Sequence, residues 1–103
     1  MYEKMLKISG FDVINSATNG EEAVIMYKSF LVKPDIILMD HRMPIKNGIE
    51  ATKEILQIDK RSKIIFTSAD QSIKETALAL GAIDFKEKPF TMKNLIETIQ
   101  KAL

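Results

Sequence analysis

Short apolar runs alternate along the chain with segments whose apolar residues recur at helical spacing. The apolar runs, which predict four strands, are residues 11–17, 35–40, 62–69 and 82–88. The helical patterns cover residues 19–30, 48–58, 70–81 and 91–103, with the end of a further helix at 1–10. The second run is apolar at consecutive positions, which is typical of a strand buried on both faces of a parallel sheet. The strict alternation predicts an α/β fold of three layers around a doubly wound parallel sheet.

The helical patterns also predict which side chains are buried and where two helices begin or end. Gly81 predicts the C-terminal stop of the third complete helix, and Thr91 predicts the N-cap of the fourth. The predicted apolar stripe of the first complete helix is Ala23, Met26, Tyr27 and Phe30. The predicted stripe of the last helix is Met92, Leu95, Ile96, Ile99 and Leu103.

Composition narrows the class of protein. A length of 103 residues, with 46% hydrophobic and 28% charged residues, predicts one globular domain spanning 1–103. A net charge of +1 provides no electrostatic basis for binding nucleic acid or an anionic membrane. The chain has no cysteine and a single histidine, His41, which excludes thiol catalysis and multi-histidine metal sites. No apolar run is long enough to span a bilayer, so we expect a cytoplasmic protein.

Chemically useful side chains follow three of the predicted strands. Asp40 ends the second strand, Thr67 and Ser68 end the third, and Lys88 follows the fourth. Ligands and chemistry in parallel α/β sheets lie at the carboxyl ends of the strands. A charged aspartate after a buried run is costly unless its charge is used. The sequence therefore predicts that a carboxylate, a hydroxyl and an ammonium converge at one edge of the sheet.

These residues lie within longer stretches that resemble a known family. The stretches are NGEEA (19–23), PDIILMDHRMPIKNG (34–48), IIFTSA (64–69) and GAIDFKEKPF (81–90). With them, the chain resembles the receiver domain of two-component response regulators, of the single-domain chemotaxis type, over nearly its whole length. The resemblance implies a flavodoxin-like fold.

The resemblance also implies roles for individual residues. Asp40 would accept a phosphoryl group from a histidine kinase or phosphotransfer protein, Ser68 would hydrogen-bond a phosphoryl oxygen, and Lys88 would pair with its charge. The peptide bond between Lys88 and Pro89 would be cis. Thr67 is the alternative pocket hydroxyl, because neighbouring strand residues face opposite sides. Phe85 falls at the position of the family's aromatic switch residue, and the alternative is an ordinary core aromatic.

Four further residues would rim the pocket: Arg42, Ala69, Asp70 and Pro89. Arg42 and Asp70 could form an ion pair that gates dephosphorylation. Two other interpretations stay open, namely two solvated charges that do not meet, or Asp70 acting as a substitute magnesium ligand.

The family begins with a strand that ends in an acidic pair, and that pair helps to hold Mg²⁺. Residues 1–10 resemble only the later part of the first helix, so we expect a receiver that lacks this first strand. The remaining magnesium ligands would be Asp40 and the backbone carbonyl of Arg42, which implies a weakened site. Open strand edges would favour self-association.

The function that the resemblance implies is phosphorelay signalling to a downstream protein through the last helix–strand–helix face. The alternative is a truncated, non-switching receiver that acts as a protein-interaction module. A haloacid-dehalogenase-type phosphatase would need a second aspartate where Arg42 stands. We therefore expect a phosphoacceptor with autophosphatase activity rather than a conventional enzyme, and no nucleic-acid or membrane partner.

Overall fold

A computed structural model of the chain describes residues 19–30, 33–40 and 47–103. The predicted helix end at 1–10 and the predicted strand at 11–17 lie outside the described residues, as does Arg42. The expectations of an absent first strand and of self-association therefore stay predictions. None of the helices in the described ranges combines the length and apolar character needed to cross a bilayer.

The described residues form four helices, three strands and a short 3-10 turn. In chain order they are α1 (Gly20–Ser29), β1 (Ile37–Asp40), α2 (Gly48–Ile58), β2 (Ile64–Ser68), the 3-10 turn (Gln71–Ile73), α3 (Lys74–Leu80), β3 (Asp84–Glu87) and α4 (Met92–Ala102). Each lies within its predicted segment, and the predicted helix at 48–58 matches α2 at both ends. The predicted helix at 70–81 is divided into the 3-10 turn and α3.

The three described strands form one parallel sheet in the order β1–β2–β3. Asp40 of β1 lies opposite Thr67, and Ser68 of β2 lies opposite Glu87. All three strands therefore end at the same side of the sheet, which we call the carboxyl edge; the opposite side is the amino edge. The parallel sheet predicted from the alternation is confirmed.

Helices cover both faces of the sheet, which confirms the three-layer architecture. On one face, α1, α2 and α3 pack through residues that include Val24, Ile55 and Ala77. On the other face, Leu95 and Ile99 of α4 pack on Ile65. Ile64 and Ile65 are both fully buried, so consecutive residues of β2 enter different cores. This explains the unbroken apolar run in the sequence.

Asparagine and threonine side chains begin three of the four helices. The Asn19 carboxamide accepts the Glu22 N–H at the start of α1. Asn47 and Glu50 form a reciprocal capping box at the start of α2. Thr91 caps α4, as predicted, by accepting the N–H of Asn94.

Gly81 ends α3, as the sequence predicts, with a φ of 121°. Residues other than glycine rarely adopt such a positive φ, because their Cβ atom clashes with the backbone. A Cβ at this position would also lie 3.1 Å from Leu56 Cδ1. The glycine therefore meets a backbone requirement and a packing requirement at the same turn.

The structure corrects two details of the predicted apolar stripes. Val24, which was not included, is buried with Tyr27 in α1, whereas Ala23, Met26 and Phe30 are only partly buried. Leu103, predicted to lie in the buried stripe of α4, is 61% exposed. It follows the last residue of α4, where the regular helical spacing that buries Leu95 and Ile99 ends.

Candidate functional site

The carboxyl edge brings together the carboxylate and the ammonium that the sequence places at strand ends. Lys88 Nζ donates to Asp40 Oδ2 at 2.7 Å, although the two residues are 48 positions apart. Their side chains are 28% and 41% exposed, respectively. The pair therefore lies in a position that is open to small solutes yet partly shielded from water. A charge-assisted bond of this length fixes the carboxylate and the ammonium relative to each other.

Backbone structure places both groups of this pair. Asp40 is the last residue of β1, and its neighbour Met39 is buried, which holds the aspartate at the end of a rigid strand. Lys88 follows β3 directly, and its backbone N–H donates to the carbonyl of Ser68 at 2.9 Å. The peptide bond between Lys88 and Pro89 is cis, as predicted. Pro89 itself is exposed beside the pair.

The two hydroxyl residues at the end of β2 differ in their hydrogen bonds. Both are buried, with Thr67 3% and Ser68 2% exposed. Thr67 Oγ1 donates its proton to the backbone carbonyl of Met39 at 3.4 Å. Ser68 Oγ instead accepts the backbone N–H of Asp70 at 3.0 Å. A hydroxyl has one proton to donate and two acceptor positions, so the Ser68 proton is not used by this bond.

Two of the predicted rim residues lie in the loop that follows β2. Ala69 and Asp70 are both exposed. The Asp70 carboxylate accepts the backbone N–H of Ser72 at 2.9 Å and caps the 3-10 turn. The fourth rim residue, Arg42, lies outside the described residues, so the predicted contact between Arg42 and Asp70 stays a prediction.

Phe85 lies away from the charged pair and points into the core. It is 8% exposed and stacks on Phe66, with ring centroids 6.1 Å apart and planes 11° apart. This contact couples β3 to β2 beneath α3 and satisfies the interpretation as a core aromatic. The predicted role of Phe85 as the aromatic switch residue stays a prediction.

Comparison with known proteins agrees with this arrangement. A family model described as the response regulator receiver domain matches residues 1–100. The chain belongs to the receiver family. It is therefore a domain of two-component signal transduction, in a class of signalling proteins rather than conventional enzymes.

Individual receivers are similar over most of their length. Chemotaxis protein CheY of Thermotoga maritima is 44% identical over 103 residues, which covers 98% of this chain and 84% of that protein. Chemotaxis protein CheY of Bacillus subtilis is 43% identical over 105 residues, covering 100% of this chain and 86% of that protein. The structure of the CheX–CheY–BeF3–Mg²⁺ complex from Borrelia burgdorferi has a TM-score of 0.90 at 30% identity, covering 97% of this chain and 76% of that chain. These similarities support a chemotaxis-type single receiver with a flavodoxin-like fold.

One feature of the receiver's carboxyl edge was missed in the sequence. The side-chain amide of Gln71, in the 3-10 turn, donates to the Glu87 carboxylate at the end of β3. Both residues are exposed and polar, and they are 16 positions apart. Neither periodicity nor a motif distinguishes them from other solvated residues, so no sequence signal could have identified the contact.

Proposed function

We propose that this receiver takes part in a phosphorelay by accepting a phosphoryl group on Asp40 from a histidine kinase or phosphotransfer protein. The observation that carries the proposal is the contact of 2.7 Å between the Asp40 carboxylate and the Lys88 ammonium at the carboxyl edge. Asp40 Oδ would attack phosphorus while the bond between phosphorus and the donor atom breaks. The product would be an acyl phosphate and the released donor.

The residues around Asp40 suit the charge that phosphoryl transfer creates. Charge on the equatorial phosphoryl oxygens needs positive groups and hydrogen-bond donors already in place. Lys88 provides an ammonium next to the nucleophile. The hydrogen-bonding pattern favours Ser68 over Thr67 as the hydroxyl donor, because the Thr67 proton is already bonded to the Met39 carbonyl. Later hydrolysis of the acyl phosphate, the autophosphatase activity, would return Asp40 to its carboxylate.

Magnesium is the cofactor that we propose for this site. In the described ranges, no three acidic, histidine or cysteine side chains cluster as a ready metal site. Asp40 nevertheless offers a hard oxygen ligand on a side chain that is 41% exposed, and Mg²⁺ is often held by one or two carboxylates with phosphate oxygens and waters. Asp40 and phosphoryl oxygens would therefore hold the ion. Bound there, Mg²⁺ would neutralise charge on the phosphoryl group.

The output surface that we propose is formed by α3, β3 and α4. Two apolar residues in this part of the chain are exposed: Leu78 is 39% exposed and Ile83 is 45% exposed. Phe85 connects the same region to the core beside β2. A downstream protein would bind this surface with an affinity that depends on the state of Asp40.

The proposal is tested by incubating the protein with acetyl phosphate and Mg²⁺ and measuring the bound phosphoryl group by intact mass. We expect incorporation into the unaltered chain and none into Asp40→Asn, because the amide is a far weaker nucleophile. Asp35→Asn, an exposed aspartate five positions earlier, is the matched control and should incorporate like the unaltered chain. Undiminished incorporation in Asp40→Asn would contradict the assignment. A chain that incorporates nothing would support the alternative, a receiver that acts as an interaction module without phosphorylation.

A further inference from the structure

Two segments of the carboxyl edge hold Ser68 from different sides. The loop after β2 supplies the backbone N–H of Asp70, which donates to Ser68 Oγ at 3.0 Å. The end of β3 supplies the backbone N–H of Lys88, which donates to the Ser68 carbonyl at 2.9 Å. The position of the buried Ser68 hydroxyl therefore depends on both segments.

The contact between Gln71 and Glu87 joins these same two segments. Gln71 is the next residue after Asp70, and Glu87 is the residue before Lys88. The Gln71 amide donates to the Glu87 carboxylate, which closes a ring of contacts through Ser68. We call this ring the serine bracket: Ser68, Asp70, Gln71, Glu87 and Lys88.

The serine bracket orients two groups toward Asp40. The Asp70 N–H occupies one acceptor position of Ser68 Oγ, which limits the directions in which the hydroxyl proton can point. The backbone of Lys88 is tied to Ser68, while its ammonium contacts Asp40 Oδ2 at 2.7 Å. A donor contributes most to catalysis when it is already oriented toward the developing charge.

We propose that Gln71 and Glu87 are positioning residues for phosphorylation, acting through Ser68 and Lys88 and not by contact with the phosphoryl group. This inference rests on the proposed function of Asp40. Because the Gln71–Glu87 contact is exposed, its effect on the rate should be modest, about two- to five-fold.

Exchanging the amide and the carboxylate between positions 71 and 87 gives a set of variants that tests the contact. Gln71→Glu places two carboxylates together and should break the bracket. Glu87→Gln keeps an amide oxygen that can accept from Gln71, so it should behave like the unaltered chain. The double variant Gln71→Glu/Glu87→Gln again pairs a carboxylate with an amide and should restore the contact. Gln57→Glu, an exposed glutamine on α2, is the control for added charge.

The first measurement does not require phosphorylation. Amide hydrogen exchange of Asp70 and Lys88 reports the two N–H groups that bond to Ser68, and local opening exposes such groups. We expect exchange at these amides to be about two- to five-fold faster in Gln71→Glu. The double variant and Gln57→Glu should keep the exchange rates of the unaltered chain. Unchanged exchange in Gln71→Glu would overturn the proposal.

The second measurement is the initial rate of phosphoryl incorporation from acetyl phosphate with Mg²⁺. Gln71→Glu should slow it about two- to five-fold, and the double variant should restore it. In a Ser68→Ala background, Gln71→Glu should lose part of its effect, because the hydroxyl is gone while the backbone bond between residue 68 and Lys88 remains. A merely structural role would not reduce the effect in this background.

The two measurements separate failure of this inference from failure of the proposed function. No incorporation into the unaltered chain would contradict the phosphoacceptor role of Asp40, and the positioning role with it, while exchange still reports the bracket. Normal incorporation into both the unaltered chain and Gln71→Glu would overturn only the positioning role. An equal slowing by Gln71→Glu with and without Ser68 would also overturn it.

Discussion

At the carboxyl edge, the side chains of Asp40 and Lys88 would have different chemical roles. Asp40 offers the oxygen that would form the new bond, whereas Lys88 offers only charge and a hydrogen bond. Replacing the nucleophile should therefore abolish phosphorylation, but replacing its counter-ion should leave part of it. The difference lets the two roles be distinguished by substitution.

Lys88→Ala should retain some incorporation of the phosphoryl group but lose the structural response that follows it. The physical reason is that the ammonium connects Asp40 to the end of β3, while it forms no bond to phosphorus. Incorporation by intact mass, together with backbone amide spectra before and after phosphorylation, measures the two effects. Lys86→Ala, two residues earlier and on β3, is the control. Spectral changes of normal size in Lys88→Ala would contradict this role.

Thr52 of α2 carries a buried hydroxyl that finds no hydrogen-bond partner in the described parts of the chain. An unsatisfied buried polar group costs about 1–3 kcal/mol. Thr52→Val keeps the shape and removes the hydroxyl, so it should raise the free energy of unfolding by about 1 kcal/mol. Urea unfolding measures the change. Thr98→Val is the matched control and should bring no gain, because Thr98 Oγ1 donates to the Asn94 carbonyl at 3.0 Å.

At the scale of elements, short polar caps decide where the helices begin. The same pattern, Asn-Gly followed by a glutamate in the third position after Asn, opens both α1 and α2. In each helix the asparagine side chain accepts the N–H of that glutamate, namely Glu22 or Glu50. Capping matters most for α2, since this helix begins eight residues after the candidate phosphoacceptor and packs on β1.

Asn47→Ala should lower the free energy of unfolding by about 0.5–2 kcal/mol, because it removes the acceptor for the Glu50 N–H. Asn47→Asp keeps a side-chain oxygen and serves as the control, with little expected loss. Thermal or urea unfolding distinguishes the two. Equal stability of Asn47→Ala and Asn47→Asp would show that the cap contributes nothing.

Across the whole molecule, the two edges of the sheet differ in the kind of contact that their side chains make. The carboxyl edge gathers the charged pair and the hydroxyl. The amino edge holds helix ends in place: Lys33 Nζ donates to the Phe30 carbonyl at 3.0 Å after α1, and Lys63 Nζ donates to the Ala102 carbonyl at 2.8 Å in α4. A cation at a helix C-terminus also complements the helix dipole. Stability and chemistry should therefore respond to different substitutions.

Tyr27→Phe tests this separation at the amino edge. The Tyr27 hydroxyl shares a hydrogen bond of 2.6 Å with Ser62 Oγ, so its loss should cost about 0.5–1.5 kcal/mol of stability. The incorporation rate from acetyl phosphate should not change. Ser62→Ala is the companion variant, and it should add little to Tyr27→Phe because both remove the same bond. A slowed incorporation in Tyr27→Phe would show that the two edges are coupled.

The local sequence pattern was sufficient to predict the described helices and strands and to identify Asp40 and Lys88 as the charged pair. Apolar runs and helical spacing predicted the elements, and parallel strands necessarily end at a common edge. Asp40 and Lys88 could therefore be placed together without coordinates. The helix end at Gly81 and the helix start at Thr91 were also predicted from the sequence, because backbone conformation and capping act over one or two turns.

Tertiary packing decided which residues of different helices and strands contact one another. Helix α1 buries Val24 rather than Ala23, because its rotation is set by the surface it meets and not by its own spacing. The inward stacking of Phe85 on Phe66 depends on strand register. The contact between Gln71 and Glu87 joins two exposed polar residues that only the parallel arrangement of β2 and β3 brings together. Short-range preferences are encoded residue by residue, whereas such contacts exist only when distant segments share one folded surface.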